Sequence, residues 1–376
     1  MVQLISALIS RLLLIIIIGS CQKEPIDQRY DRLNLYVNQN GGTLDLQVLE
    51  DETILTSNYG GFSRINKEGV VFFTKIYRDA ALFKVFELAD HFYALVRIQE
   101  GDGQVLRLMV YDIFGGEITS ITLPFQAQLI EAGHASYLNN CIRIMGVGSD
   151  GDPSIKKVVE ATVHLDGSLK SSQILEVQPV YPIYVKEINW RQDEERALLV
   201  GSRITSDGNQ DREGIRLLKW ENAQVVEELE FGLQGYESLT NLIIDEESGR
   251  VVILGSGQTV GWLVMLDQEL QELWSFSYGS SGKKHWLYDG IFTSEGFAAV
   301  GFAGNPQGGE DGLFIGLNNS GQLVSEHRYN AAEYERIFTI VPFNSNALLL
   351  GGWIHFPTES RFDSRIFETD LNGSFY

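Results

Sequence analysis

Residues 239–278 read LTNLIIDEESGRVVILGSGQTVGWLVMLDQELQELWSFSY. Four apolar segments stand out: Leu239 to Ile244, Arg250 to Gly255, Trp262 to Leu266 and Leu273 to Tyr278. Between them lie an acidic turn closed by Gly249, a glycine-containing loop, and Asp267-Gln268-Glu269. Short runs of β-branched and aromatic residues bounded by turn formers are the signature of strands joined by hairpins. No window of about eleven residues keeps a helical period of 3.6, which excludes a solenoid of helices.

Working outward, the pattern recurs. An apolar run ending in a small residue appears at Ile142 to Gly146, Ala197 to Gly201, Val251 to Gly255, Phe297 to Gly301 and Ala347 to Gly351. Upstream, Tyr93 to Ile98 and Thr53 to Thr56 fill the same slot without the glycine. About twenty residues after each run comes a turn signal: Asn66 to Gly69, Phe114 to Gly116, Leu165 to Gly167, Trp220 to Asn222, Asp267 to Glu269, Asn319 to Gly321 and Leu371 to Gly373. Four antiparallel strands repeated at roughly fifty residues make a propeller blade. The last unit, from about Glu335 to Tyr376, provides only three strands. The alternating Leu33 to Val37 can supply the fourth and cover an edge that would otherwise invite aggregation. The expectation is therefore all-β: a seven-bladed β-propeller over 33–376, its last blade closed by an N-terminal strand. A solenoid or a pair of sandwiches is the structural alternative.

The later repeats carry Asp311-Gly312-Leu313-Phe314-Ile315, Asn319-Ser320-Gly321-Gln322-Leu323 and Ala347-Leu348-Leu349-Leu350-Gly351-Gly352. These resemble the blades of a propeller family common in bacterial lipoproteins and secreted proteins. The resemblance implies a fold and no single activity. The Trp-Asp ending of WD40 blades is absent.

Composition agrees with a large β domain. The 376 residues are 44% hydrophobic and 21% charged, with 38 glycines against eight prolines, so a sizeable core and many tight turns are expected. Fifty acidic residues face 29 basic ones, a net charge of −21. Nucleic acid is excluded as a partner, because phosphate binding needs clustered Lys and Arg; docking on anionic lipid by charge is excluded likewise.

Residues 1–20 have the form of a leader: one charge at Arg11, an apolar run from Leu12 to Ile18, and small residues at the end. That run is too short for a span, which needs about 20 residues. Ile18-Gly19-Ser20-Cys21 resembles a bacterial lipobox, and the resemblance implies acylation (palmitate-type) at Cys21, with 21–32 as a lipidated polar tether. An ordinary signal peptide or a short membrane anchor is the alternative. Gln22-Lys23-Glu24 resembles the short export signal of Bacteroidota-type surface lipoproteins. It implies an outer-membrane location facing the cell surface, with the periplasmic side as alternative. Only Cys141 then remains as a free thiol, and its strand-like context marks it as buried and inert.

Function is sought where variable loops and exposed rings meet. The loops between second and third strands are long: Gly148 to Lys157, Arg203 to Gly214, Ala303 to Gly312 and Ile354 to Ser364. The connections between blades share their face and are aromatic. Tyr236, Tyr278, Lys284, His285, Trp286, Tyr288 and Tyr334 form the candidate ligand site, because exposed Tyr and Trp bring large contact area with one polar handle each. Lys283-Lys284-His285 is the basic cluster beside Trp286. Packing of neighbouring blades is the competing account of any single ring. No metal spacing, P-loop, G-x-S-x-G or dinucleotide fingerprint occurs, so no cofactor, metal or catalytic residue is assigned. The expected function is a non-catalytic, lipid-anchored binding module capturing a glycan or peptide beside a transporter. The alternatives are a protein-only subunit of an outer-membrane complex and, third, a hydrolase.

Overall fold

The computed structural model describes the backbone of residues 34–37 and 44–375, apart from short turns and loops such as 124–127, 150–156, 176–180, 207–210 and 232–237. Most of it is strand. After β1 (Asn34–Val37), the strands fall into successive antiparallel sets of four. The first set is β2 (Asp45–Val48), β3 (Ile54–Asn58), β4 (Gly61–Ile65) and β5 (Val71–Ile76). The second is β6 (Ala80–Leu88), β7 (His91–Glu100), β8 (Gly103–Asp112) and β9 (Glu117–Thr122). Next come β10 (Gln128–Leu138), β11 (Cys141–Ser149), β12 (Lys157–His164) and β13 (Leu169–Leu175). The fourth holds β14 (Tyr181–Arg191), β15 (Glu194–Ser206), β16 (Asp211–Glu221) and β17 (Gln224–Phe231). Then follow β18 (Ser238–Ile244), β19 (Val251–Ser256), β20 (Gly261–Leu266) and β21 (Glu272–Tyr278). The sixth set is β22 (His285–Thr293), β23 (Gly296–Gly304), β24 (Glu310–Asn318) and β25 (Leu323–Tyr329). Last are β26 (Tyr334–Asn344), β27 (Ala347–Phe356) and β28 (Arg361–Asp370), with β1 paired antiparallel to β28 so that Leu35 faces Ile366. One parallel bridge, Glu310 to Tyr334, joins the sixth set to the last.

Period-2 alternation explains how the sets pack. In β7, Phe92, Ala94 and Val96 enter the cluster shared with the first set, while Tyr93 and Leu95 enter the one shared with the third. In β19, Val252 and Leu254 face the sixth set, and Val251 and Ile253 face the other way. Middle strands such as β19 are therefore buried on both faces, while at the outer edge β5 and β21 alternate with exposed positions and β9 is mostly exposed. Leu46, Ile54 and Ile65 of the first set share a core with Leu349 and Ile366 of the last.

Two local devices repeat. The first strand of a set carries a bulge after the residue opposite the recurring glycine: Leu239 faces Gly255, Leu287 faces Gly301, and Ile337 faces Gly352. The bulged strand crosses so close that a Cβ on Gly301 would lie 1.8 Å from the Trp286 carbonyl oxygen, and one on Gly352 2.0 Å from that of Arg336. In the last repeat the structural glycine is thus Gly352; Gly351 falls one place past the bulge. The second device is the turn between third and fourth strands. Asn66, Asp112, Asp267, Asn318 and Asp370 each accept, through Oδ1, the N–H groups two and four residues on. The residue between adopts positive φ, as at Gly69, Gly115, Leu270, Gly321 and Gly373. Asn and Asp favour such turns because the side chain replaces a backbone acceptor. The strands run further into the second-to-third loops than expected: β23 reaches Gly304 and β24 begins at Glu310.

Candidate aromatic binding face

The end of the sixth and last sets where β22 and β26 begin carries a continuous run of rings. Cross-strand register creates it, because residues directly opposite share a face. Trp286 faces Phe302, Arg336 faces Trp353, Tyr334 faces His355, and His355 faces Phe362. Tyr288 and Phe338 are the extra residues of the bulges in β22 and β26, and their rings meet at 4.7 Å. Trp286 lies 5.9 Å from Tyr288, and both lie 6.0 Å from Phe302. The Arg336 guanidinium stands 4.5 Å over Phe302 and 5.4 Å from Trp353. Beyond it Trp353, His355 and Phe362 cluster, the last two stacked at 4.0 Å and nearly parallel. Phe362 is 47% exposed; Trp286, Tyr288, Trp353 and His355 are half-buried.

Charge on this face is balanced. Arg336 donates through Nε and Nη2 to both carboxylate oxygens of Glu310, at 2.5 and 2.8 Å. Burial alone would weaken the guanidinium's hold on its proton, but the Glu310 bond outweighs it. Burial pushes the Tyr288 hydroxyl up to about 12, with Glu310 adding to the rise and Arg336 opposing it. The ring therefore presents a neutral hydroxyl. Beneath, Glu335 is buried with Arg365 and accepts the Ala331 N–H at 2.8 Å. Burial raises the Glu335 carboxyl against the pull of Arg365. Asp289 stitches three sets together, accepting from Asn241 Nδ2 at 2.7 Å and from the Ile340 N–H at 3.1 Å.

The expected site residues separate into two groups. Trp286, Tyr288 and Tyr334 belong to the aromatic run, with exposed Lys284 at its margin. His285 and Tyr278 lie inside. His285 Nδ1 sits 2.9 Å from the Thr259 carbonyl and 3.0 Å from that of Lys283, tying the fifth set to the sixth. The Tyr278 hydroxyl donates to Glu326 at 2.6 Å and accepts from Arg328 at 2.9 Å. Both residues join the fifth set to the sixth. Tyr236 and Cys21 lie outside the described residues. Sequence reasoning missed Phe302, Glu310, Arg336, Trp353, His355 and Phe362. Rings flanking both ends of the 354–364 loop were the signal available. Cys141 is buried, with Sγ 3.5 Å from His164 Nδ1.

Four-stranded antiparallel sheets packed face to face, with first strands adjacent and fourth strands at the rim, define a β-propeller. Solved structures agree on the fold. "Structure of Dos1 propeller" superposes with a TM-score of 0.55 at 12% identity, covering 91% of this chain and 83% of that one. "YCF48 bound to D1 peptide" gives 0.53 at 12%, covering 88% and 93%. Kuenenia stuttgartiensis hydrazine synthase gives 0.55 at 8%, covering 90% and 98%. No protein-family model matches the sequence, and no curated relative matches it either.

Proposed function

We propose that the chain is a non-catalytic binding propeller, anchored to the outer membrane by acyl chains on Cys21, that captures a glycan or peptide on the aromatic face of its last two sets. The observation that carries this is the unbroken run from Trp286 through Arg336 to Phe362. With Arg336 balanced by Glu310, the face offers stacking rather than net charge, which suits a sugar ring or an aromatic or aliphatic peptide side chain. Among the described residues Lys284 has no ion-pair partner, so it is available at the margin for a carboxylate. A propeller of the same fold, YCF48, is solved bound to the D1 peptide, which makes the peptide the first ligand class to screen. In this reading the strand sets are the seven blades of one ring, completed by β1. The shared core of Leu46, Ile54, Leu349 and Ile366 supports that closure.

Phe362→Ala is the cleanest test, since the ring is half-exposed and contributes little to the core. Screened against glycan and peptide arrays and titrated calorimetrically against the best hit, it should weaken binding about tenfold while leaving thermal stability unchanged. Hits that bind Phe362→Ala and Trp286→Ala as well as they bind the native chain would place capture elsewhere.

A further inference from the structure

A polar pair divides the aromatic face. Phe302 is buried, with the Arg336 guanidinium over it. The groups left for a ligand therefore come in order: Trp286 and Tyr288, then Arg336 with Glu310, then Trp353 and Phe362. The side chains of Arg336 and Glu310 are 30% and 15% exposed, so solvent reaches the pair. From Trp286 through Phe302 and Arg336 to Trp353 and Phe362, each step measures 4.5 to 6.0 Å, close to the breadth of one sugar ring. The row is thus several sugar units long.

Fold alone leaves glycan and peptide both open; the chemistry between the rings separates them. An extended peptide presents N–H and C=O groups in fixed directions and is held best by main-chain partners along a strand edge. Here the polar groups are side chains that already satisfy each other. Glu310 takes two of the five N–H groups of the guanidinium, and each of its oxygens keeps a lone pair. Such a pair gains most from groups that donate and accept at once. Neighbouring hydroxyls do both, one donating to the carboxylate and the next accepting from the guanidinium. The C–H-rich face of a pyranose also suits the electron-rich face of an aromatic ring. Charge selects against acidic chains, because Glu310 cancels Arg336 and a net −21 repels a polyanion. Lys284 at the margin can meet a single carboxylate, not a row of them. Resting on the reading of this face as the capture site, we infer that its ligand is a neutral oligosaccharide of at least three linked units. It stacks on Trp286 at one end and on Trp353 and Phe362 at the other, with vicinal hydroxyls on the Arg336–Glu310 pair between.

Titration calorimetry of the purified full chain tests this. The probes are glucan, xylan and mannan oligosaccharides of one to six units, with oligogalacturonates and a peptide library alongside. At least one neutral series should bind, its affinity rising at least about tenfold from the disaccharide to the tetrasaccharide and then levelling. Glu310→Gln leaves Arg336 its charge. It should weaken the neutral tetrasaccharide about tenfold and strengthen oligogalacturonate, a reversal that lost packing alone does not produce. Phe362→Ala should move the levelling point to a shorter chain, and it keeps the test available if circular dichroism shows Glu310→Gln unfolded. A peptide or an oligogalacturonate that binds the native chain and is lost in Phe362→Ala, with no neutral series bound, would overturn the sugar assignment and leave the face as the capture site. Binding indifferent to both Trp286→Ala and Phe362→Ala would overturn the two readings together. No neutral sugar bound, or an affinity that stops growing at one unit, would also overturn the inference.

Discussion

Gly301→Ala tests the packing of the bulged first strands. The added Cβ would stand 1.8 Å from the Trp286 carbonyl oxygen, 2.8 Å from its carbon and 3.0 Å from the Leu287 Cα. All three are backbone atoms, so no flexible side chain can swing away. Relief requires β22 to move off β23 by about 1 Å, beyond what close-packed interiors absorb. That movement drags Leu287, fully buried between the fifth and sixth sets, and strains the bond from the Thr240 hydroxyl to its carbonyl. Overpacking costs about 1–3 kcal/mol and a weakened buried hydrogen bond about 1 kcal/mol more, so a loss of roughly 2–4 kcal/mol is expected. Urea unfolding followed by tryptophan fluorescence is the better assay, because melting temperature moves only about 2–4 °C per kcal/mol in domains of 150–250 residues and less in larger ones. Gly304→Ala is the internal control: it lies on the same strand, and its nearest contacts would be 3.2 to 3.4 Å. Equal urea midpoints for the two variants would refute the steric account of the recurring glycine.

Three further outcomes are expected. An unfolded tyrosine ionises near 10 and folded Tyr288 near 12, so the unfolded chain gives up its proton first and stability falls as pH rises between those values; Tyr288→Phe should remove one late-titrating tyrosinate from the ultraviolet difference spectrum and part of that alkaline loss. Deleting residues 34–37 removes the β1–β28 ladder and should lower the stability of the whole domain by about 2 kcal/mol or more in a single urea transition; an unchanged midpoint would show that β28 does not depend on β1. Cys21→Ser should release the protein from the outer-membrane fraction, and its retention there would refute the anchor.

Much of the fold was legible because its signals are local. Alternation marks strands such as Val251 to Gly255, and the Asx-x-x-Gly turns at Asn318 and Asp370 need only neighbouring residues to form. The glycine of the last repeat was misplaced by one residue because a bulge in β26, invisible in composition, decides which of Gly351 and Gly352 lies under the crossing backbone. The site was harder. Trp286 and Tyr288 announce themselves as aromatics in a connection, but Arg336 reaches Glu310 across the boundary between two sets, a distance set by packing and not by spacing. His285 shows the opposite failure: beside two lysines it reads as a surface residue, yet the carbonyls of Thr259 and Lys283 hold it inside.

The pairing of β1 with β28 has a consequence for how the molecule is made. Asn34 must wait for Phe367, so the last sheet cannot complete until almost the entire chain is present. During synthesis the early sets can assemble one on another, since each core needs only an adjacent sheet, but both ends of the growing stack stay open. Truncation at either terminus leaves the same wound. Moving the cut is a different matter: a permuted chain that runs from β28 directly into β1 and opens between two other sets would turn the longest-range pairing into a hairpin and shorten the wait.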